Sequence, residues 1–247
     1  MQYKNIQSSQ NPTHPSVCHK MATIKVSRTI QLPNTHIMSS SMPPIKLTYF
    51  NLRARAEPAR LLLAYAGVSY EDDRLPPPWE NIEAWADQKT SYPYGCLPML
   101  YWDGQEIGQS LAITRFLAKQ FGLAGRDNLE AGQVDEIIYA LQDAINAGYS
   151  VLHEKVEEKK WELAKKLEQE TVPTVLGQIE KRLVSRGGQF LVGNTLSWAD
   201  IQTFFFCSEL IDQKVLKKTP RLANLARRVG DFPNIKAWVE TRPKNPF

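Results

Sequence analysis

A helix that opens on a hydroxyl directly after a short strand is a place where a carboxylate can be held. Gln105-Glu106-Ile107-Gly108-Gln109-Ser110-Leu111-Ala112-Ile113 has that form, with Ile113, Phe116 and Leu117 following at helical spacing. The first turn of such a helix presents unpaired backbone N–H groups, the positive end of the helix dipole and the Ser110 hydroxyl together. Ser110 can equally be an N-cap and nothing more. Tyr49, at the end of the alternating run Ile45-Lys46-Leu47-Thr48-Tyr49-Phe50, reads by itself as a core tyrosine. Cys18, Cys96 and Cys207 are far apart, odd in number and without CxxC or His-paired spacing, so neither a disulfide framework nor a zinc site is expected.

The elements that must position these groups follow in order. Ile45, Leu47 and Tyr49 share one face of a first strand. Pro58 suits the first turn of a helix running through Leu61, Leu62 and Tyr65 to Gly67, whose missing Cβ suits a left-handed C-terminal position. Val68 to Leu75 returns as a second strand, and Pro76-Pro77-Pro78 imposes an extended loop, because proline neither donates to a ladder nor sits inside a helix. Met99-Leu100-Tyr101-Trp102, the pair Asp103-Gly104 and the run from Gln105 form a hairpin pattern, and the Ser110 helix follows. Strand, helix, strand, loop, two strands and helix is a thioredoxin-like order.

From about residue 125 the texture is helical. Val134, Ile137, Ile138, Leu141 and Ile145 make a buried stripe, a charged helix spans Lys155 to Glu170, and another runs from Leu176 to Leu183 before Gly187-Gly188. Ser197 and Asp200 form a capping box inside a Leu196–Ile201 staple, Phe204 to Phe206 make that helix apolar nearly all round, and Ile235, Trp238 and Val239 form a last helix stopped before Pro243. The expected architecture is α/β plus all-α: a disordered leader at 1–42, a thioredoxin-like βαβ-ββα domain at 43–122 and an all-helical domain at 128–247.

The leader is Ser-, Asn-, Thr- and Pro-rich and contains no acidic residue. Its hydroxyl content resembles a transit peptide, yet Arg28 is its one arginine and Pro12, Pro15 and Pro33 spoil an amphipathic helix; Met42 also offers an alternative start. Removing its Lys4, Lys20, Lys25 and Arg28 from the 30 basic residues leaves 26 against 26 acidic ones, so the folded part is neutral and nucleic acid is not an expected partner. No run is apolar enough to cross a bilayer. The cysteine pattern fits a reducing, cytoplasmic setting.

Leu47-Thr48-Tyr49-Phe50, Arg55-Ala56-Glu57-Pro58, Tyr70-Glu71-Asp72, Gln109-Ser110-Leu111-Ala112-Ile113, Val134-Asp135-Glu136-Ile137 and Arg242-Pro243, in this order and spacing, resemble the cytosolic glutathione transferases, and among them the sigma class. The resemblance covers Pro44 to Phe247 and implies glutathione as co-substrate. It places Tyr49 as the hydroxyl donor to the glutathione sulfur, a role that raises the reactive thiolate fraction of a thiol that otherwise titrates at about 8.5. Arg55 is implied as the supporting charge. Leu97 and a cis Pro98 would pair with the cysteinyl part, Gln109 and Ser110 would hold the γ-glutamyl carboxylate, and Asp143 would reach its ammonium from the neighbouring subunit of a homodimer.

Between strands two and three the family carries a tryptophan followed by a lysine for the glycine end. Trp85 and Lys89 keep that spacing and the distance to Pro98, while Trp79-Glu80-Asn81-Ile82-Glu83 resembles the same segment with glutamate for lysine. Trp85 and Lys89 are preferred, because a glutamate would repel the glycine carboxylate. Cys96 is a bystander. Tyr139 and Gln142 stand where prostaglandin synthases of the class carry interface aspartates tied to divalent-metal activation, so no metal is expected. A small apolar electrophile would sit against Phe50, Leu52, Ile145 and Tyr149. The implied activity is conjugation of glutathione to apolar electrophiles, including lipid-peroxidation products, in a detoxifying enzyme. One alternative is glutathione-dependent isomerisation of prostaglandin H2, weakened by Ser150 where that enzyme has tryptophan. The other is a non-enzymatic, crystallin-like or ligand-carrying member.

Overall fold

The structure, a computed structural model, describes residues 42–245. The expected leader lies outside them, Met42 excepted. Strand β1 (Ile45–Phe50) pairs in parallel with β2 (Glu71–Leu75) and antiparallel with β3 (Met99–Trp102), which pairs antiparallel with β4 (Gln105–Gly108) in the order β2-β1-β3-β4. The β3–β4 turn has both central residues at positive φ, Asp103 at 51° and Gly104 at 75°, the geometry whose twist suits a hairpin. Helix α1 (Glu57–Ala66) crosses between β1 and β2. It ends as its Gly67 implies, at φ 66°, with Val68 N–H bonded to Leu63 O at 3.1 Å. That bond is why β2 begins at Glu71 and not at Val68, where the hydrophobic pattern alone would start it.

A second departure lies after the three prolines. Helix α2 (Ile82–Gln88) interrupts the expected loop, opened by Asn81, whose side chain accepts the Ala84 N–H at 2.9 Å. None of its residues is buried, so it shows no apolar stripe for a periodicity argument to find.

Helix α3 (Ser110–Gln120) closes the sheet half, and α4 (Asn128–His153) opens the helical one, its N-cap Asp127 accepting the Glu130 N–H at 2.9 Å. The helices expected at Lys155–Glu170 and Leu176–Leu183 are one continuous path. Helix α5 (Glu157–Lys166) passes through a π turn at Leu167–Thr171 into α6 (Val172–Ser185). Pro173 explains the wide turn: proline has no N–H for the ladder and its ring crowds the preceding carbonyl, and a π turn leaves room. Helices α7 (Trp198–Phe205), α8 (Gln213–Leu216), α9 (Pro220–Gly230) and α10 (Pro233–Thr241) complete the chain. α1 is the wedge between the halves: eight of its ten residues are buried, and it packs against α3, α7 and α10. No helix among the described residues is long and apolar enough to cross a membrane.

The capping box at α7 is present. Buried Asp200 accepts from Ser197 N at 2.8 Å, Ser197 Oγ at 2.6 Å and Leu191 N at 2.9 Å. Burial pushes its carboxyl up to about 6, the Ser197 and Leu191 donors pulling the other way. Asp200→Ala removes the N3 half of the capping box and orphans two buried N–H groups, those of Ser197 and Leu191, and we expect a loss of about 3 kcal/mol in urea unfolding. Ser197→Ala, which removes only the cap hydroxyl, should cost about 1 kcal/mol; equal losses would mean that the Ser197 and Leu191 N–H bonds to Asp200 together contribute nothing.

Candidate active site

The end of β1 delivers Tyr49 to the mouth of a cleft between the two halves. Its side chain is buried, and burial together with the neighbouring Tyr149 pushes its hydroxyl up to about 12, against the Arg55 N–H and the Arg55 and Arg60 charges. Tyr49 therefore keeps its proton at neutral pH and can donate it in a hydrogen bond. A short 3-10 turn, Ala54–Ala56, carries Arg55, whose guanidinium lies 4.1 Å above the Tyr149 ring. The other neighbour of that ring is the His153 imidazole, stacked at 6.4 Å, so α4 contributes a row of flat groups to the cleft.

The cleft is a cavity of about 450 Å³, a size that suits a small organic ligand. The structure brings Tyr49, Phe50, Leu52, Arg55, Ser110, Ile145 and Tyr149 together on its wall. Ile145 is only half-buried: the α4 stripe that continues through Ala144, Gly148 and Val151 leaves Ile145 turned to the cleft. Ser110 is the first residue of α3, and no side chain caps that helix; the residue before it, Gln109, holds φ 70°, a left-handed value uncommon for a side-chain-bearing residue. The bare first turn of α3 thus faces the cleft with its N–H groups and the Ser110 hydroxyl.

The remaining expected residues lie off that wall. Leu97 and Pro98 are buried ahead of β3, and the bond between them is cis. Gln109 is exposed, with its Nε2 3.9 Å from Cys96 Sγ. Trp85 packs edge-on against Phe50 at 4.8 Å and near Tyr92 at 6.1 Å, behind the cleft, while Lys89 is exposed just past α2. Trp79 is the tryptophan on the cleft wall, beside Pro78. Asp143 sits on an exposed face of α4, outside the cleft.

Sequence reasoning missed Arg53, His153, Gln202, Phe205 and Glu209, all on the wall. Gln202 had a signal: a long amide between Ile201 and Thr203 in the most apolar helix of the chain. Glu209 had none, since its place depends on the π turn at Phe206–Leu210 and on Arg53, which it meets at 2.9 Å. Among the described residues no group of three or more His, Cys, Asp or Glu side chains is placed to hold a metal ion.

Residues 45–119 match the family model described as "Glutathione S-transferase, N-terminal domain" and residues 142–242 that of the "Glutathione S-transferase, C-terminal domain". "Glutathione S-transferase 1" of Ascaris suum is 36% identical over 211 residues, covering 83% of this chain and 100% of that protein. The chain belongs to the glutathione S-transferase family. "Hematopoietic prostaglandin D synthase" of Gallus gallus is 38% identical over 208 residues, covering 82% of this chain and 98% of that one. The solved prostaglandin synthase D of Nilaparvata lugens superposes with a TM-score of 0.74 at 34% identity, over 82% of this chain and 100% of that one. Within the glutathione S-transferase fold, the N-terminal model ends inside α3 and the C-terminal one starts midway along α4, so the cleft described above lies between the two matched regions.

Proposed function

We propose that this protein conjugates the thiol of glutathione to small apolar electrophiles. The observation that carries the reading is the protonated, buried Tyr49 at the head of an apolar cleft whose other edge is an uncapped helix start. Glutathione would lie along the sheet half, its γ-glutamyl carboxylate at Ser110, Gln109 and the α3 N–H groups. Its cysteinyl backbone would pair with Leu97 beside Pro98, and its glycine end would meet Trp85 and Lys89. Tyr49 donates its hydroxyl to the sulfur, and Arg55 adds positive charge nearby, so the anion is favoured over the thiol. The sulfur lone pair then forms the new S–C bond, while the electron pair of the broken bond leaves with a leaving group or moves onto an adjacent carbonyl. Holding both reactants in one cleft removes the entropy of their encounter. Phe50, Leu52, Ile145 and Tyr149 receive the apolar body.

We place the enzyme in the cytoplasm as a homodimer in which Asp143 of the second copy completes the glutathione site, with detoxification as its role and no metal. Titration calorimetry with glutathione tests the anchor points. Ser110→Ala should weaken binding roughly tenfold, as expected for one hydrogen bond to a charged group. Asp143→Ala should weaken it as well, and an unchanged Kd would remove the shared site. Isomerisation of prostaglandin H2 is the second reading, supported by the named activity of the Gallus gallus relative. It would show as prostaglandin D2 formation dependent on glutathione.

A further inference from the structure

The cleft wall contributed by α7 and its continuation holds polar groups that conjugation of a purely apolar electrophile leaves idle. Gln202, Phe205 and Glu209 are spaced three and four residues apart, on one helix face, and all three line the cavity. Gln202 is only 4% exposed, and its Oε1 is buried without a hydrogen-bond partner. Arg53, on the facing segment, spends Nη1 on Glu209 Oε2 at 2.9 Å and leaves Nε buried and unpartnered. The orphaned Arg53 Nε–H calls for an acceptor, and the Gln202 amide can donate as well once a half-turn exchanges its orphaned oxygen for the N–H.

The charges say what that something is. Arg53 begins an alternating chain, Arg53–Glu209–Arg242–Glu57–Arg60–Asp72–Arg74, with four guanidiniums against three carboxylates. Glu209 is the one acid on the cavity wall among the described residues, and it is already held by two arginines, while Arg55 adds a further cation to the same cavity. The Nε edge of a guanidinium is one of the edges on which it grips a carboxylate, and the Gln202 amide can turn its N–H toward a second oxygen. We infer that Arg53 and Gln202 form a carboxylate subsite within the electrophile cleft, so that the preferred second substrates are apolar electrophiles ending in a carboxylate, of the oxidised fatty-acid type.

This inference rests on the transferase reading, and the test separates the two. Ethacrynic acid, its methyl ester and the neutral chlorodinitrobenzene are each conjugated with glutathione by the full chain, with uncatalysed rates subtracted. The wild type should prefer the acid to the ester by about tenfold or more in kcat/KM. Arg53→Met and the near-isosteric Gln202→Leu should each bring that ratio close to one, through KM for the acid. Using the ratio within each variant cancels any general loss of activity, and Gln202→Leu leaves the ion chain intact if Arg53→Met does not fold. A wild type that conjugates chlorodinitrobenzene but treats acid and ester alike overturns the subsite. A preference that survives both substitutions moves it away from Arg53 and Gln202 and overturns the assignment. No conjugation of any of the three overturns the transferase reading itself.

Discussion

Replacing Tyr49 by phenylalanine should lower kcat/KM for glutathione conjugation roughly 30-fold, the equivalent of about 2 kcal/mol for a hydrogen bond to a charged sulfur. The substitution keeps the ring and its packing between Phe50 and the Arg60 guanidinium, which lie 5.4 and 5.9 Å from the Tyr49 ring, and removes only the donor. With its hydroxyl held up at about 12, Tyr49 does not ionise in the working range. The rise of rate with pH therefore belongs to the sulfur, which the bond should shift below the free thiol's value of about 8.5. Ultraviolet difference absorption of bound glutathione, titrated from about pH 5 to 9, should show the thiolate band rising early in the wild type and about 1.5 units later in Tyr49→Phe. Identical titrations and rates would show that the hydroxyl plays no part in the reaction, whereas a wild type that binds no glutathione, or binds it without shifting its thiol, would put the crystallin-like or carrier reading in the lead.

The second large effect is on stability. Glu57 is wholly buried, and its Oε1 accepts from Arg242 Nη1 at 2.7 Å and Trp238 Nε1 at 2.8 Å, while Oε2 faces Arg60 Nη1 at 3.4 Å. One carboxylate thus ties α1 to α10, and through Arg242 to Glu209 at the cleft. Glu57→Gln keeps the shape but leaves two buried guanidiniums short of a counter-charge, and we expect a loss of about 3–5 kcal/mol in urea unfolding. Burial alone would raise the Glu57 carboxyl, but the Arg60 and Arg242 charges and the Arg242 and Trp238 hydrogen bonds hold it below its ordinary 4.5. A depressed carboxylate contributes stability that is present above its unfolded value and lost as pH falls through its folded one. Wild-type stability should accordingly decline below about pH 4.5, and Glu57→Gln should decline less over that interval. A Glu57→Gln protein within about 1 kcal/mol of wild type would show that the ion chain does not hold α10 in place.

Residues near in sequence determined a good deal of this protein. The β1 alternation, the Gly67 helix end, the Asp103-Gly104 hairpin and the Ser197–Asp200 capping box are local devices, and each stands where its residues imply. Their order was enough to read a thioredoxin-like half followed by a helical one, and seven of the residues picked from the sequence meet on the cleft wall. The exposed helix α2 escaped because helix periodicity is a signature of one buried face, and α2 buries none. The path from α5 to α6 escaped because a proline reads as a break unless the preceding turn widens around it.

What only the tertiary structure decided is how the two halves meet. Glu57, beside a proline in a charged-looking segment, gives no local sign that it is buried, since its partners Trp238 and Arg242 are 181 and 185 residues away. Arg53, Gln202 and Glu209 belong to the cleft for the same reason. A capping bond or a tight turn is settled within a few residues, whereas a charge becomes a buried ion pair or a cleft wall only when distant segments exclude water around it.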